Sequence, residues 1–203
     1  QICTWRNLLG GVQYSNTFPT FLGMTLGKGS IPWIWRYCPG RVLEGMAEGL
    51  GDVQIRRLIM EYRAKQALVD MGKWTKAVRD LIDSQFGTQI KAEWQPSYMN
   101  PPVWYATPYV KTTNDGTGLL TPDQATTPGW SGANQIPLKV SGTIVTVDFR
   151  PLSPNMSCQL CYRSSDGEAI YSNPVFGGEC SLSLEKEPAN GIVFAVICNT
   201  DYI

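Results

Sequence analysis

The sequence predicts an α+β protein, with an N-terminal helical layer followed by an antiparallel β-sandwich of about six strands. Two observations carry this reading. Between residues 17 and 87, apolar side chains recur at helical spacing between capping residues and glycines. From residue 135 onward the apolar period becomes two, and the separators are turn formers. The chain therefore divides into a helical region over 1–90, an irregular proline- and aromatic-rich connector over 91–134, and a sandwich over 135–203.

The helical elements follow in order. Thr17-Phe18-Pro19 places a capping hydroxyl and an early proline before Thr20 to Leu26, and Gly27 ends that run. Ser30-Ile31-Pro32 opens a short helix through Trp33, Trp35 and Arg36 that stops near Pro39-Gly40. A third helix runs from Val42 to Leu50 and closes at Gly51. Asp52 is a good N-cap for the strongest element, in which Ile55, Leu58, Ile59, Tyr62 and Val69 recur up to Gly72. Arg56, Arg57, Arg63 and Lys65 are expected on its outer face. A last helix, from about Trp74 to Phe86, is expected to bury Val78, Leu81 and Ile82, with Gly87 as C-cap.

In the connector, Pro96, Pro101, Pro102, Pro108, Pro122 and Pro128 break any long regular element. Trp94, Trp104, Tyr105, Tyr109 and Trp130 make it too aromatic for a disordered linker, so it is expected to pack irregularly on both halves. The strands then expected are Ile136–Val140, Thr143–Phe149, Ser157–Tyr162, Ala169–Ser172, Ser181–Leu184 and Ile192–Cys198. Ser141-Gly142, Pro151 to Asn155, Asp166-Gly167, Gly177-Gly178 and Asn190-Gly191 separate them.

Composition narrows function. There is no histidine, so imidazole serves neither as base nor as metal ligand, and Ser-His-Asp, Cys-His and histidine-containing zinc sites are excluded. The 17 basic and 17 acidic side chains cancel, which argues against a general attraction to nucleic acid. No stretch reaches the roughly 18 apolar residues of a membrane span. The chain opens on Gln1-Ile2-Cys3, which suggests a processed product or a fragment. The six cysteines, Cys3, Cys38, Cys158, Cys161, Cys180 and Cys198, fit disulfides in an oxidising compartment. Cys158 and Cys161 would face opposite sides of a strand, so each is expected to pair elsewhere, with Cys180 and Cys198 as candidates. Cys3 and Cys38 are expected to pair in the N-terminal half. The sequon Asn155-Met156-Ser157 marks Asn155 as a glycosylation candidate compatible with secretion.

Few motifs carry chemistry. Gly27-Lys28-Gly29-Ser30 is too short for a phosphate loop, and Asn114 to Gly118 lacks the acidic ligands of a calcium loop. No cofactor and no metal is expected. Carboxylates are the remaining acid/base groups: Glu44 and Glu48 share a helix face, and Glu61 sits with Asp70 beside Arg57, Arg63 and Lys65. A solvated, ion-paired face accounts for them equally, so no catalytic residue is assigned. Aromatics of the connector, chiefly Trp104, Tyr105 and Trp130 with Asn134 as a hydrogen-bonding neighbour, could hold a sugar ring, against core packing as the ordinary use of such residues.

A resemblance follows from the order Phe21-Leu22, Leu26-Gly27-Lys28, Trp33-Ile34-Trp35-Arg36, Met60-Glu61-Tyr62-Arg63 and Asp70, then Pro128 to Pro137, Ile170-Tyr171-Ser172 and Val196 to Tyr202. This resembles the C-terminal region, helical part plus β-sandwich, of uncharacterised secreted microbial and fungal proteins whose upstream half looks like a zinc-metallopeptidase domain. The metal site of that family would be a His-Glu-x-x-His helix. No residue here occupies its histidine positions, so the resemblance implies a chain without the metal site. The expected function is a secreted, non-catalytic module for extracellular binding or self-assembly, acting as a homo-oligomer or on a glycan. The alternatives are a carboxylate-based hydrolase, or part of one, working on an extracellular polymer through Glu44, Glu48 or Glu61, and a carbohydrate-binding module.

Overall fold

A computed structural model of the chain describes residues 17–38, 40–86, 107 and 109–203. Cys3, Gly87, Trp94, Trp104 and Tyr105 lie outside the described residues, as do the side chains of Leu81 and Ile82.

The helices are α1 (Thr17–Thr25), α2 (Ser30–Tyr37), α3 (Val42–Leu50), α4 (Asp52–Ala67) and α5 (Thr75–Phe86). Eight strands follow: β1 (Thr112–Asn114), β2 (Leu120–Pro122), β3 (Ala133–Lys139), β4 (Ile144–Phe149), β5 (Met156–Arg163), β6 (Ala169–Tyr171), β7 (Gly178–Ser183) and β8 (Ile192–Asn199). The fold is α+β, and the last six strands occupy the places expected of the sandwich to within three residues at either end.

Those six strands form a four-stranded antiparallel sheet, ordered β3-β8-β5-β6, and the separate antiparallel pair β4-β7. Side-chain alternation gives the larger sheet two apolar faces. Cys158, Leu160 and Tyr162 of β5, with Val193 and Ala195 of β8, pack against Leu182 and Phe149 of the β4-β7 pair. The alternate residues Cys161, Phe194, Val196 and Cys198 turn the other way and join the helical core. The molecule is thus three layers: helices, four-stranded sheet, two-stranded sheet.

The connector holds a hairpin that its sequence did not announce. β1 pairs with β2 around residues 115–119. Gly116 N–H donates to Asn114 Oδ1 at 2.9 Å, and Thr117 N–H donates to Asp115 Oδ1 at 2.8 Å. Three-residue strands carry too little alternation to register as periodicity.

α4 is the central helix, and it corrects one expectation. Arg63 is 3% exposed and not on an outer face. Its Nε donates to the Ser131 carbonyl at 2.7 Å and its guanidinium to Gln66 Oε1 at 2.7 Å. α4 packs against α3 and against β5 and β8, and its solvated stripe runs through Arg57, Glu61 and Lys65, to which Arg63 does not belong. It also ends earlier than Gly72. The Asp70 N–H reaches the Lys65 carbonyl at 2.8 Å and the Val69 N–H reaches the Gln66 carbonyl at 2.9 Å, a Schellman closure. Its left-handed position is held by Val69, at φ 50, where glycine is the usual occupant.

α3 lies close to α2 through two glycines. A Cβ on Gly45 would stand 2.8 Å from Cys38 Cβ, and one on Gly49 would stand 2.8 Å from the Trp33 ring.

Structural disulfides are not formed among the described residues. Cys38, Cys158, Cys161, Cys180 and Cys198 are all free and buried. Cys158 and Cys161 do face opposite sides of β5. Cys161 and Cys198 share the helix-facing side, but Cys161 stands opposite Phe194 and Cys198 opposite Ser157. Four residues of strand, about 13 Å, separate them, beyond the roughly 7 Å that a bridge tolerates.

A polar network fixes the sheet edge to α4. The Tyr171 hydroxyl donates to Asp70 Oδ2 at 2.8 Å, and Lys65 Nζ donates to the same oxygen at 3.1 Å. Burial raises the Asp70 carboxyl, but the bonds from Tyr171 and Lys65 outweigh it and hold the group below the ordinary aspartate value. A lowered native pKa stabilises above the unfolded value of about 3.9, and the gain is lost as pH falls through the native one. The urea midpoint is therefore expected to drop below about pH 4. Asp70→Asn should be less stable at neutral pH and show a flatter acid limb; an unchanged limb would remove Asp70 from the explanation.

Candidate functional site

Of the carboxylates considered for catalysis, Glu44 and Glu48 stand one turn apart on α3 and Glu61 is on α4. Glu44 lies 2.9 Å from Arg41, and Glu61 lies 2.9 Å from Arg57. Glu48 is exposed on α3. Ordinary ion pairing on helix surfaces accounts for Glu44 and Glu61. Among the described residues no group of three or more metal-ligating side chains is gathered, and no helix is long and apolar enough to cross a membrane.

Of the residues expected to contact a sugar, the two that are described, Trp130 and Asn134, differ in exposure. Trp130 is 55% exposed, but Asn134 is 1% exposed and turned inward, its Nδ2 donating to the Thr126 carbonyl at 2.7 Å. Gln135 does the same with the Thr107 carbonyl at 2.9 Å. These amides fasten the connector to β3, because buried donors need acceptors and the connector supplies unpaired carbonyls. Asn134 therefore does not face a surface ligand. Asn155 is half-buried in the turn before β5, where its carbonyl accepts the Thr200 N–H and hydroxyl at 2.8 and 2.6 Å.

The exposed aromatics instead cluster on α2. None of its eight residues is buried. Ile31 and Ile34 are partly buried against the core, while Pro32, Trp33, Trp35, Arg36 and Tyr37 are exposed. Trp33 rests over Gly49 of α3, with its ring 5.6 Å from that of Tyr37. The Arg36 guanidinium lies 5.4 Å from the Tyr37 centroid. Trp35 is 83% exposed and Tyr37 57%. No acidic residue occurs from Thr17 to Leu43, whereas Lys28, Arg36 and Arg41 do, so the surface is aromatic with a basic character.

This surface was present in the sequence as a geometric conflict. At about 100° per residue, Trp33 and Tyr37 share one side of the helix, while Trp35 points roughly 200° away. An eight-residue helix packed on one neighbouring layer cannot bury both directions. Comparison with known proteins returns no matching family model, no matching curated protein and no matching solved structure.

Proposed function

We propose that this chain is a secreted, non-catalytic interaction module that self-associates through the aromatic surface of α2. The observation that carries the reading is the exposure of Trp35 and Tyr37 on a helix with no buried residue. Trp, Tyr and Arg contribute most of the contact energy at protein interfaces, and α2 presents all of them within five residues. Equal numbers of acidic and basic side chains, 17 each, remove net repulsion between copies. The extracellular setting is inferred from the Asn155 sequon and from the resemblance to secreted proteins.

Sedimentation velocity over a wide concentration range tests it. The weight-average mass should rise with concentration, and Trp35→Ala with Tyr37→Ala should weaken self-association by about tenfold or more. Both side chains are exposed, so the double variant should unfold at the same urea concentration as the parent. A parent chain that stays monomeric at every concentration would overturn the self-association reading.

Carbohydrate binding is the second reading, favoured by the exposure of Trp130. Glycan-array binding lost on Trp130→Ala, and retained in the α2 double variant, would select it.

A further inference from the structure

Cys158 of β5 and Cys180 of β7 belong to different sheets and meet between them. Their residues are 0% and 1% exposed. Both side chains belong to the one apolar cluster between the sheets, near enough to shift each other's ionisation. Ser172 Oγ lies 3.4 Å from that sulfur, and the Asn173 carbonyl accepts from it at 3.8 Å. Cys158 is anchored on its strand by reciprocal bonds with Val175, each 2.9 Å. Cys158 is paired with Val175 and the Cys180 sulfur touches Ser172 and Asn173, so segment 172–175 runs beside both residues.

We propose that Cys158 and Cys180 are an oxidisable thiol pair, a modification site at which a peroxide drives formation of a disulfide that fastens the β4-β7 pair to the four-stranded sheet. Cys180 is the attacking sulfur. The neighbouring Cys158 thiol, opposed by burial and aided by Ser172, holds the Cys180 thiol below its ordinary value, while Cys180 and burial push Cys158 well up. The Cys180 thiolate attacks one peroxide oxygen. The O–O bond breaks, the departing oxygen leaves as water after taking a proton, and Cys180 becomes a sulfenic acid. The Cys158 sulfur then attacks the Cys180 sulfur, forming the S–S bond and releasing the sulfenic oxygen as a second water. Two thiols have lost two protons and two electrons, and one hydrogen peroxide has become two waters.

The pairing is selective. Cys161 and Cys198 lie across the sheet on its helix-facing side, and Cys38 sits against Gly45. The mechanical consequence follows from the topology: a two-stranded pair is marginal by itself, and β4-β7 is held to the larger sheet chiefly by side-chain packing. A covalent tie removes the ways it can separate in the unfolded chain.

The test is a peptide map of the full chain. Reduced protein is exposed to hydrogen peroxide, quenched with catalase, alkylated with N-ethylmaleimide in denaturant and digested with trypsin without reductant. The expected product joins residues 140–163 to 164–186 with the loss of two hydrogens, and fragmentation places the link on Cys158 and not Cys161. The melting temperature should rise by several degrees and return with dithiothreitol. Cys161→Ser should keep the link, and Cys158→Ser or Cys180→Ser should lose it. Recovery of Cys158 and Cys180 as alkylated thiols, a link through Cys161, or further oxidation of Cys180 without a link would each overturn the proposal. None of these readouts involves α2, so this inference and the proposed function fail separately.

Discussion

Replacing Phe21 by alanine is expected to cost about 3–5 kcal/mol of folding stability. Phe21 is 0% exposed, with its ring 5.3 Å from that of Tyr62 and 6.2 Å from that of Phe18. α1 has nine residues, too few to be helical alone, so it holds its place by what it buries on α4. Removing the ring takes away both transfer free energy and dispersion contacts that a packed core cannot rebuild by collapse. Urea denaturation measures this as a lowered midpoint. Phe21→Leu should lose much less, because it fills most of the space. A Phe21→Ala protein with an unchanged midpoint would mean that α1 is not part of the cooperative unit.

The second large effect is expected at Arg63. Arg63→Met keeps the apolar stem and removes the guanidinium, leaving the Ser131 carbonyl and Gln66 Oε1 without this donor inside the protein. Charged hydrogen bonds contribute about 1.5–3 kcal/mol, and a buried acceptor left unpaired costs a similar amount, so a loss of about 3 kcal/mol is expected. The bond matters because Ser131 is a junction. It holds a left-handed φ of 52, and both its N–H and hydroxyl donate to the Asp201 carbonyl at 2.9 Å. Arg63 therefore ties α4, the connector and the segment after β8 at one point. Denaturation of Arg63→Met and Arg63→Lys would decide it: if methionine were neutral or stabilising, desolvation of the guanidinium would equal or exceed what its bonds contribute.

The sequence read best where one physical rule acted alone. Period-two alternation located β3 to β8, since a strand with two covered faces still alternates its contacts along the chain. Glycine stops worked at Gly27 and Gly51, at φ 89 and 91, where an L side chain would be strained. The same rule misplaced the end of α4, because Val69 took the left-handed position and tertiary contacts of Asp70 with Lys65 and Tyr171 hold the closure. Charge alone puts Arg63 on the outer face, and a carbonyl supplied from 68 residues away brings it in. Asn134 looked like a surface hydrogen-bonding group for the same reason.

The sequence by itself determined the order of the five helices and of the last six strands, the absence of imidazole chemistry and the opposite facing of Cys158 and Cys161, all consequences of residue identity and backbone period. The tertiary structure decided which aromatics stay in water, which polar groups are spent holding the connector, and that Cys158 and Cys180 share one buried cluster. Those outcomes depend on which surfaces touch after the chain has closed on itself, and periodicity names a face without naming what covers it.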